Sequence, residues 1–173
     1  NKTAEELVAM SHHEEELYRK YKGFYGYVFY IAKKDSPQPI RLMSSVGKQL
    51  PLYCTGLGRA LLAYKSEEEI RSLFPEVLTA YTPHTIATIN DLLKELELTR
   101  QRGYAVEHEE TNLMVNCIAV SLDYNNAPIA ALSISIPTFR ISESKEKEAV
   151  QILWEAKQRI ETHFKMYGVD FGN

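Results

Sequence analysis

Residues 116–137 read NCIAVSLDYNNAPIAALSISIP, and the alternation along this stretch decides the fold. Successive side chains on a strand point to opposite faces of a sheet. Over 117–122 one row is Ile118, Val120 and Leu122, and the other is Cys117, Ala119 and Ser121. Over 131–136 one row is Leu132, Ile134 and Ile136, and the other is Ala131, Ser133 and Ser135. The turn sequence NNAP joins the two runs, so they are expected to pair as an antiparallel hairpin. If like rows meet, one sheet face is greasy and packs on helices, while the other is a floor of Cys, Ala and Ser. Such a floor has two readings. Small side chains leave volume above them and hydroxyls to hydrogen-bond within it, as in a concave binding site. Alternatively, they let a helix pack closely on the sheet.

Working outward, YAVEHEE from Tyr104 reads as a third strand. Alternation puts Glu107 and Glu109 on one of its faces with His108 opposite. Glu107 is expected to look inward, and Glu109 and Glu110 read as solvated charges at a strand end. Gly103 is placed to end the preceding helix in the left-handed conformation. That helix carries Ile89, Leu92, Leu93, Leu96 and Arg100 at helical spacing. SEEEIRSLF (66–74) begins a shorter one, with Ser66 as N-cap and Glu69 completing a capping box. Downstream, residues 142–167 predict a long amphipathic helix with the stripe Ala149, Ile152, Leu153, Ala156, Ile160 and Phe164. At the other end, residues 3–21 read as a charged helix with Leu7, Met10, Glu14 and Leu17 near one face. GYVFYIAKK (26–34) and IRLMSSVG (40–47) read as a hairpin across DSPQP. The order predicts an α/β (α+β) domain, an antiparallel sheet flanked by helices with long helices at both ends.

At 173 residues this is one domain, and 45% hydrophobic with 25% charged residues is ordinary for a globular chain. No apolar run approaches the roughly 20 residues of a membrane span, and no signal peptide is visible. Two cysteines, Cys54 and Cys117, do not make a disulfide framework, which points to a reducing cytoplasm. The net charge of -3 lacks the basic excess with which domains neutralise nucleic-acid phosphates. The chain opens on Asn1 instead of methionine, as an excised piece of a longer protein would.

LPLYCTGLGRALLA (50–63) places Gly56 and Gly58 where a helix begins. Free N–H groups and a partial positive charge at a helix start, left bare by glycines, suit a small carboxylate or phosphate. A plain turn into the helix accounts for the same residues. The dinucleotide fingerprint is excluded, because G-x-G-x-x-G requires glycine where Leu61 stands. A cysteine nucleophile needs an activating base, and the sequence relates neither cysteine to His12, His13, His84, His108 or His163. No C-x-x-C or H-x-x-x-H spacing suggests a metal.

LPLYCTGLGRALLA, the run TIATINDLLKELELTRQRGYAVEHEETNLMVNCIAV (85–120) and IAALSISIP (129–137) occur in this order and spacing. Together they resemble the C-terminal effector-binding domain of the IclR family of bacterial transcription regulators. The resemblance spans roughly Leu7 to Tyr167. It implies a GAF-like fold for residues 1–173, a small-molecule pocket and no catalysis. It also implies a winged helix-turn-helix preceding Asn1, so that DNA is contacted only through that domain, and dimers that pair into tetramers. The effector-binding positions it marks are Leu50, Gly56, Leu57, Glu107, Val115, Cys117, Ser133 and Ser135. Three of these, Cys117, Ser133 and Ser135, lie on the small row read from the strands alone. Leu57 stands where an alanine is common, which would narrow the cavity, and Glu107 where aspartate is common.

The expected effector is a small keto, hydroxy, sugar or aromatic acid. Its carboxylate would sit on the N–H groups around Gly56 and Leu57, and its other oxygens on Ser133, Ser135, Cys117 and Glu107. No cofactor or metal is called for. Two other outputs fit the same residues: a GAF-type signalling module, and a dimerisation domain with a collapsed pocket.

Overall fold

A computed structural model of the chain describes residues 51–168. The helix expected over 3–21, the hairpin expected over 26–47 and Leu50 lie outside the described residues. Helices α1 (Gly56–Leu62), α2 (Glu67–Leu73) and α3 (Ile89–Arg102) come first. Strands β1 (Ala105–His108), β2 (Val115–Tyr124) and β3 (Ala127–Pro137) follow. A 3-10 turn (Thr138–Arg140) then leads into α4 (Glu143–Tyr167). The strands form an antiparallel sheet in the order β1-β2-β3.

The hairpin rows meet as alternation predicts. Cys117 pairs with Ser135, Ala119 with Ser133 and Ser121 with Ala131, while Ile118 pairs with Ile134 and Val120 with Leu132. Asn125 and Asn126 both have positive φ, 51° and 63°. Two such residues make the tight turn whose twist matches that of the strands it joins, and asparagine tolerates the conformation. The turn alone does not fix the pairing of the rows: Asp123 pairs with Pro128, but a bulge between Leu122 and Asp123 shifts the register by one residue, so that Leu122 pairs with Ala130 and like rows meet beyond it.

The greasy row packs on α4, where Ile118 and Val120 meet Ala149, Val150 and Leu153. The expected stripe is corrected here: Ile152 is half exposed, and Val150 takes the buried place beside Ala149. The helix is rotated so that its contact face runs through 149, 150 and 153. On the opposite sheet face α1 lies over the small row, with Ala60 against Ala105 and Ala119, and Leu57 and Ala131 beside them. A third cluster, Leu62, Ile70, Leu78, Ile89, Leu92 and Leu96, joins the first three helices to one another.

The local signals for helix ends hold. Ser66 and Glu69 form both halves of the capping box of α2. Thr88 accepts from Asp91 N at the start of α3, and Gly103 ends it at φ 78°. β1 stops at His108, short of the expected Glu110, because Glu109 turns into the left-handed region at φ 55°.

β1 pairs with residues 116–119 of β2 only, so the strand beyond lacks a partner on that side among the described residues. An open edge of free N–H and C=O groups needs cover. Side chains of α4 supply it: Lys157 Nζ donates to Ser121 O at 2.8 Å, and Asp123 N donates to Glu161 Oε1 at 2.8 Å. Lys157 also pairs with Asp123 and Glu161, both at 2.7 Å.

A Cβ at position 58 would lie 2.2 Å from Leu52 O and 2.4 Å from Leu52 Cα, backbone atoms that cannot swing aside. At position 56 it would meet the Cβ atoms of Ala119 and Cys117 at 3.4 Å. Gly58→Ala is therefore expected to cost about 1–3 kcal/mol in urea unfolding, and Gly56→Ala clearly less.

Candidate functional site

The sheet face under α1 collects the residues that the sequence singles out. Antiparallel pairing sets Glu107 beside Cys117 and Cys117 beside Ser135, a single row across all three strands. Cys117 Sγ and Ser135 Oγ are 3.2 Å apart. One pair along, Ala105, Ala119 and Ser133 form a second row, and Val115 opposes Pro137 at the near end of the same face. Gly56 sits on this floor at Cys117 and Ala119, and Leu57 packs beside Ala60. Five of the eight candidate residues thus share one sheet face, and Gly56 and Leu57 lie on the helix packed over it.

The helix start is also arranged locally. Thr55 is the N-cap; its hydroxyl accepts from Gly58 N at 3.2 Å and donates to Pro51 O at 3.0 Å. The amides of Gly56 and Leu57 precede that capped one in the first turn. The next residue, Arg59, is the most consequential side chain of the site. It is 1% exposed. Its Nε donates to Tyr53 O at 2.9 Å, and its Nη1 donates to Val106 O at 3.0 Å and Glu110 Oε1 at 2.6 Å. Nη2 donates to the second Glu110 oxygen, making the pair bidentate. That oxygen also accepts from Ile86 N at 3.2 Å.

Glu110 is therefore corrected. It is 5% exposed and held by Arg59, not solvated at a strand end. Its own carbonyl accepts from Thr85 Oγ1 at 2.6 Å, which fixes the β1–β2 connection against the loop before α3.

Glu107 looks inward and is 2% exposed. Its Oε1 accepts from Glu110 N at 2.6 Å and Thr111 N at 3.1 Å, so one carboxylate oxygen is committed to the turn that follows β1. Burial pushes its pKa above the usual carboxylate value. Hydrogen bonds from the Thr111 amide, Cys117 and the Glu110 amide oppose the rise, and the Glu110 charge adds to it. The Cys117 thiol is pushed up to about 12, first by burial and then by the Glu107 charge. Cys54, fully buried, is pushed up to about 12 chiefly by burial. Neither thiol is an activated nucleophile. Among the described residues no group of three or more His, Cys, Asp and Glu could hold a metal ion. A cavity of about 360 Å³ occurs at the other end of α1, beside Ala63, Tyr64 and Ser121, and not over the Cys117–Ser135 row.

Residues 26–162 match the family described as bacterial transcriptional regulator IclR C-terminal. The chain belongs to this family. Among curated relatives, this IclR-family chain is 39% identical over 135 residues to the HTH-type transcriptional regulator KdgR of Dickeya chrysanthemi. That match covers 77% of the chain but 44% of the relative, so the chain spans under half of that regulator's length. Among solved structures, the C-terminal domain of the E. coli regulator KdgR superposes with a TM-score of 0.65 at 35% identity. It covers 72% of this chain and 75% of that one. The inducer-binding domain of PobR from Acinetobacter, a double mutant in complex with 3-hydroxybenzoic acid, superposes at 0.65 with 27% identity. It covers 76% and 77% of the two chains. Both proteins are named as transcription regulators or factors, and this chain matches the C-terminal part of such regulators.

Arg59 and Glu110 were missed as a pair, though both fall in the motifs that mark the family. A guanidinium within the otherwise apolar run GLGRALLA was the signal, since a charge there needs a buried acid. Removing either partner leaves the other charge buried and alone. Arg59→Met and Glu110→Leu are each expected to cost about 3–5 kcal/mol, and the double variant less than their sum, in a urea-unfolding cycle.

Glu107 supplies a second test, with the sign set by its raised pKa. Its native form binds a proton more tightly than the unfolded chain does, so stability grows as pH falls through the native pKa. That gain is complete below the unfolded value. Glu107→Gln carries a neutral group at every pH. Relative to the parent, its stability should therefore be best near neutral pH and fall behind progressively as the parent's carboxylate protonates, read from melting temperatures across the acid range.

Proposed function

We propose that this domain binds a small carboxylic acid on the floor formed by Glu107, Val115, Cys117, Ser133 and Ser135. In this reading the carboxylate is received by the Gly56 and Leu57 amides, and binding controls DNA affinity through a DNA-binding domain N-terminal to Asn1. The observation that carries the reading is the alignment of Glu107, Cys117 and Ser135 across three strands, with the start of α1 seated against them. It gathers hydrogen-bonding groups of different character on one apolar face, as small-molecule sites do. The acid bound to the related PobR domain supports the class of effector. The length of KdgR relative to this chain leaves room for a DNA-binding part. A carboxylate suits the amides, while Glu107 suits ligand hydroxyls, so a hydroxylated acid fits best.

The proposal also takes the regulator to be a cytoplasmic homodimer or tetramer. Among the described residues, no helix is long and apolar enough to cross a membrane.

One observation favours a second reading. A Cβ on Gly56 would touch Ala119 and Cys117 at 3.4 Å, and Leu57 packs beside it. Close approach of α1 alone accounts for small residues at 117 and 119, as a dimerisation domain with no pocket would require.

A thermal-shift screen of keto, hydroxy, sugar and aromatic acids separates the two. An acid present at a hundredfold excess over its Kd adds about 2.7 kcal/mol, which raises Tm by roughly 5–10 °C for a domain of this size. Ser133→Ala and Ser135→Ala should each shrink that rise while leaving the unliganded Tm nearly unchanged. If no acid raises Tm, the dimerisation reading stands and the carboxylate role of Gly56 falls.

A further inference from the structure

The cavity at the C-terminal end of α1 is separate from the floor at its start. It opens where β1 begins its pairing at Ala105, beside Gly103 and Tyr104 that lead into the strand, and residues 120 and 121 of β2 have no β1 partner there among the described residues. Ala60, Ala63 and Val120 form apolar wall, the phenol rings of Tyr64 and Tyr104 add aromatic surface, and Ser121 contributes a hydroxyl. At about 360 Å³ it lies within the usual range of ligand pockets, and an apolar cavity of about 150 Å³ already admits benzene.

The charges around this cavity are already matched. Arg100 spends Nε on Ala63 O at 2.7 Å and Nη2 on Lys65 O at 2.9 Å, and its Nη1 pairs with Glu97 at 2.8 Å. Lys157 pairs with Asp123 and Glu161 and also donates to Ser121 O at 2.8 Å and Ser121 Oγ at 3.3 Å, so its ammonium is fully engaged. Among the described residues an anionic ligand would therefore find no uncommitted cation at this cavity and would meet Asp123 behind the wall. Hydroxyls, in contrast, are available to exchange hydrogen bonds. Tyr64 Oη lies 2.8 Å from Ser121 Oγ and donates to Asp123 Oδ2 at 2.8 Å, and the buried Oδ1 of Asp123 has no hydrogen-bond partner among the described residues. Burial raises the Tyr64 pKa, so the phenol stays a donor.

We infer that this cavity is a second ligand site, selective for small uncharged aromatic alcohols and phenols, with the ring between apolar wall and tyrosines and the hydroxyl joined to the Tyr64–Ser121 pair. It is chemically opposite to the acid site proposed at the other end of α1 and stands whether or not that site exists.

Phenol is the probe, with benzoate as its charged counterpart, and methyl NMR of the 173-residue chain is the readout. Phenol should shift the methyl signals of Ala60, Ala63 and Val120 saturably, and benzoate should not. Tyr64→Phe, a change at a half-exposed side chain, should weaken phenol binding several-fold. Ala63→Leu should fill the cavity and abolish binding, and Ser133→Ala should leave it unchanged. Absence of a saturable shift at these methyls up to the solubility of phenol would overturn the inference. So would equal binding of benzoate, or an unaltered affinity in Tyr64→Phe, which decides the matter even if Ala63→Leu does not fold.

Discussion

The buried pair of Arg59 and Glu110 is the constraint on which the described structure depends. Through one guanidinium and one carboxylate it ties together the loop before α1, α1 itself, the end of β1, the β1–β2 turn and the loop before α3. Burying two charges is costly, and is tolerated where the geometry is bidentate and the remaining hydrogen-bonding capacity is filled. Both conditions are met here. The backbone carbonyls of Tyr53 and Val106 complete the guanidinium, and the Ile86 amide adds to the carboxylate. The glycines serve the same end. Gly58 lets α1 approach the backbone of Leu52, and Gly56 lets it approach the sheet, so that Arg59 reaches its partner 51 residues away.

What was legible in the sequence was whatever a short window contains. The alternation over 116–137, the capping box at Ser66 and Glu69, and the left-handed stop at Gly103 each depend on residues a few positions apart, and each occurs as expected. The misreadings arose where a residue's environment comes from elsewhere in the chain. Glu110 looked solvated beside Glu109 because its partner sits on another element. Ile152 looked buried because a helical stripe can be rotated by one residue without changing its period, and Val150 took its place. The shortness of β1 was equally hidden, since Glu109 carries no glycine-like mark of its positive φ.

The candidate site shows the same division. Alternation was enough to put Cys117, Ser133 and Ser135 on one face, and pairing added Glu107 to the row. Alternation could not tell a floor under a cavity from a seat for a helix. The structure shows that part of the row is a seat: Ala119 lies under α1, with Gly56 and Ala60 against it. Small side chains at 117 and 119 are therefore needed for packing. The hydroxyls at 133 and 135 have no such explanation, because packing requires smallness there and alanine would meet it.

Magnitudes then limit how a ligand on that floor could act. Coupling between an effector and a distant function is typically about 1–3 kcal/mol. Pulling α1 away from the sheet would break the Arg59–Glu110 pair, at a cost of about 3–5 kcal/mol for an uncompensated buried charge. A route that leaves α1 in place avoids that cost. A signal starting from a ligand at Cys117 or Ser135 would then pass with α1 in place, through the side chains of the floor and whatever they contact on binding. The row itself offers a low-cost route, since a ligand hydroxyl can replace the bond between Cys117 and Ser135 without disturbing the backbone pairing beneath it.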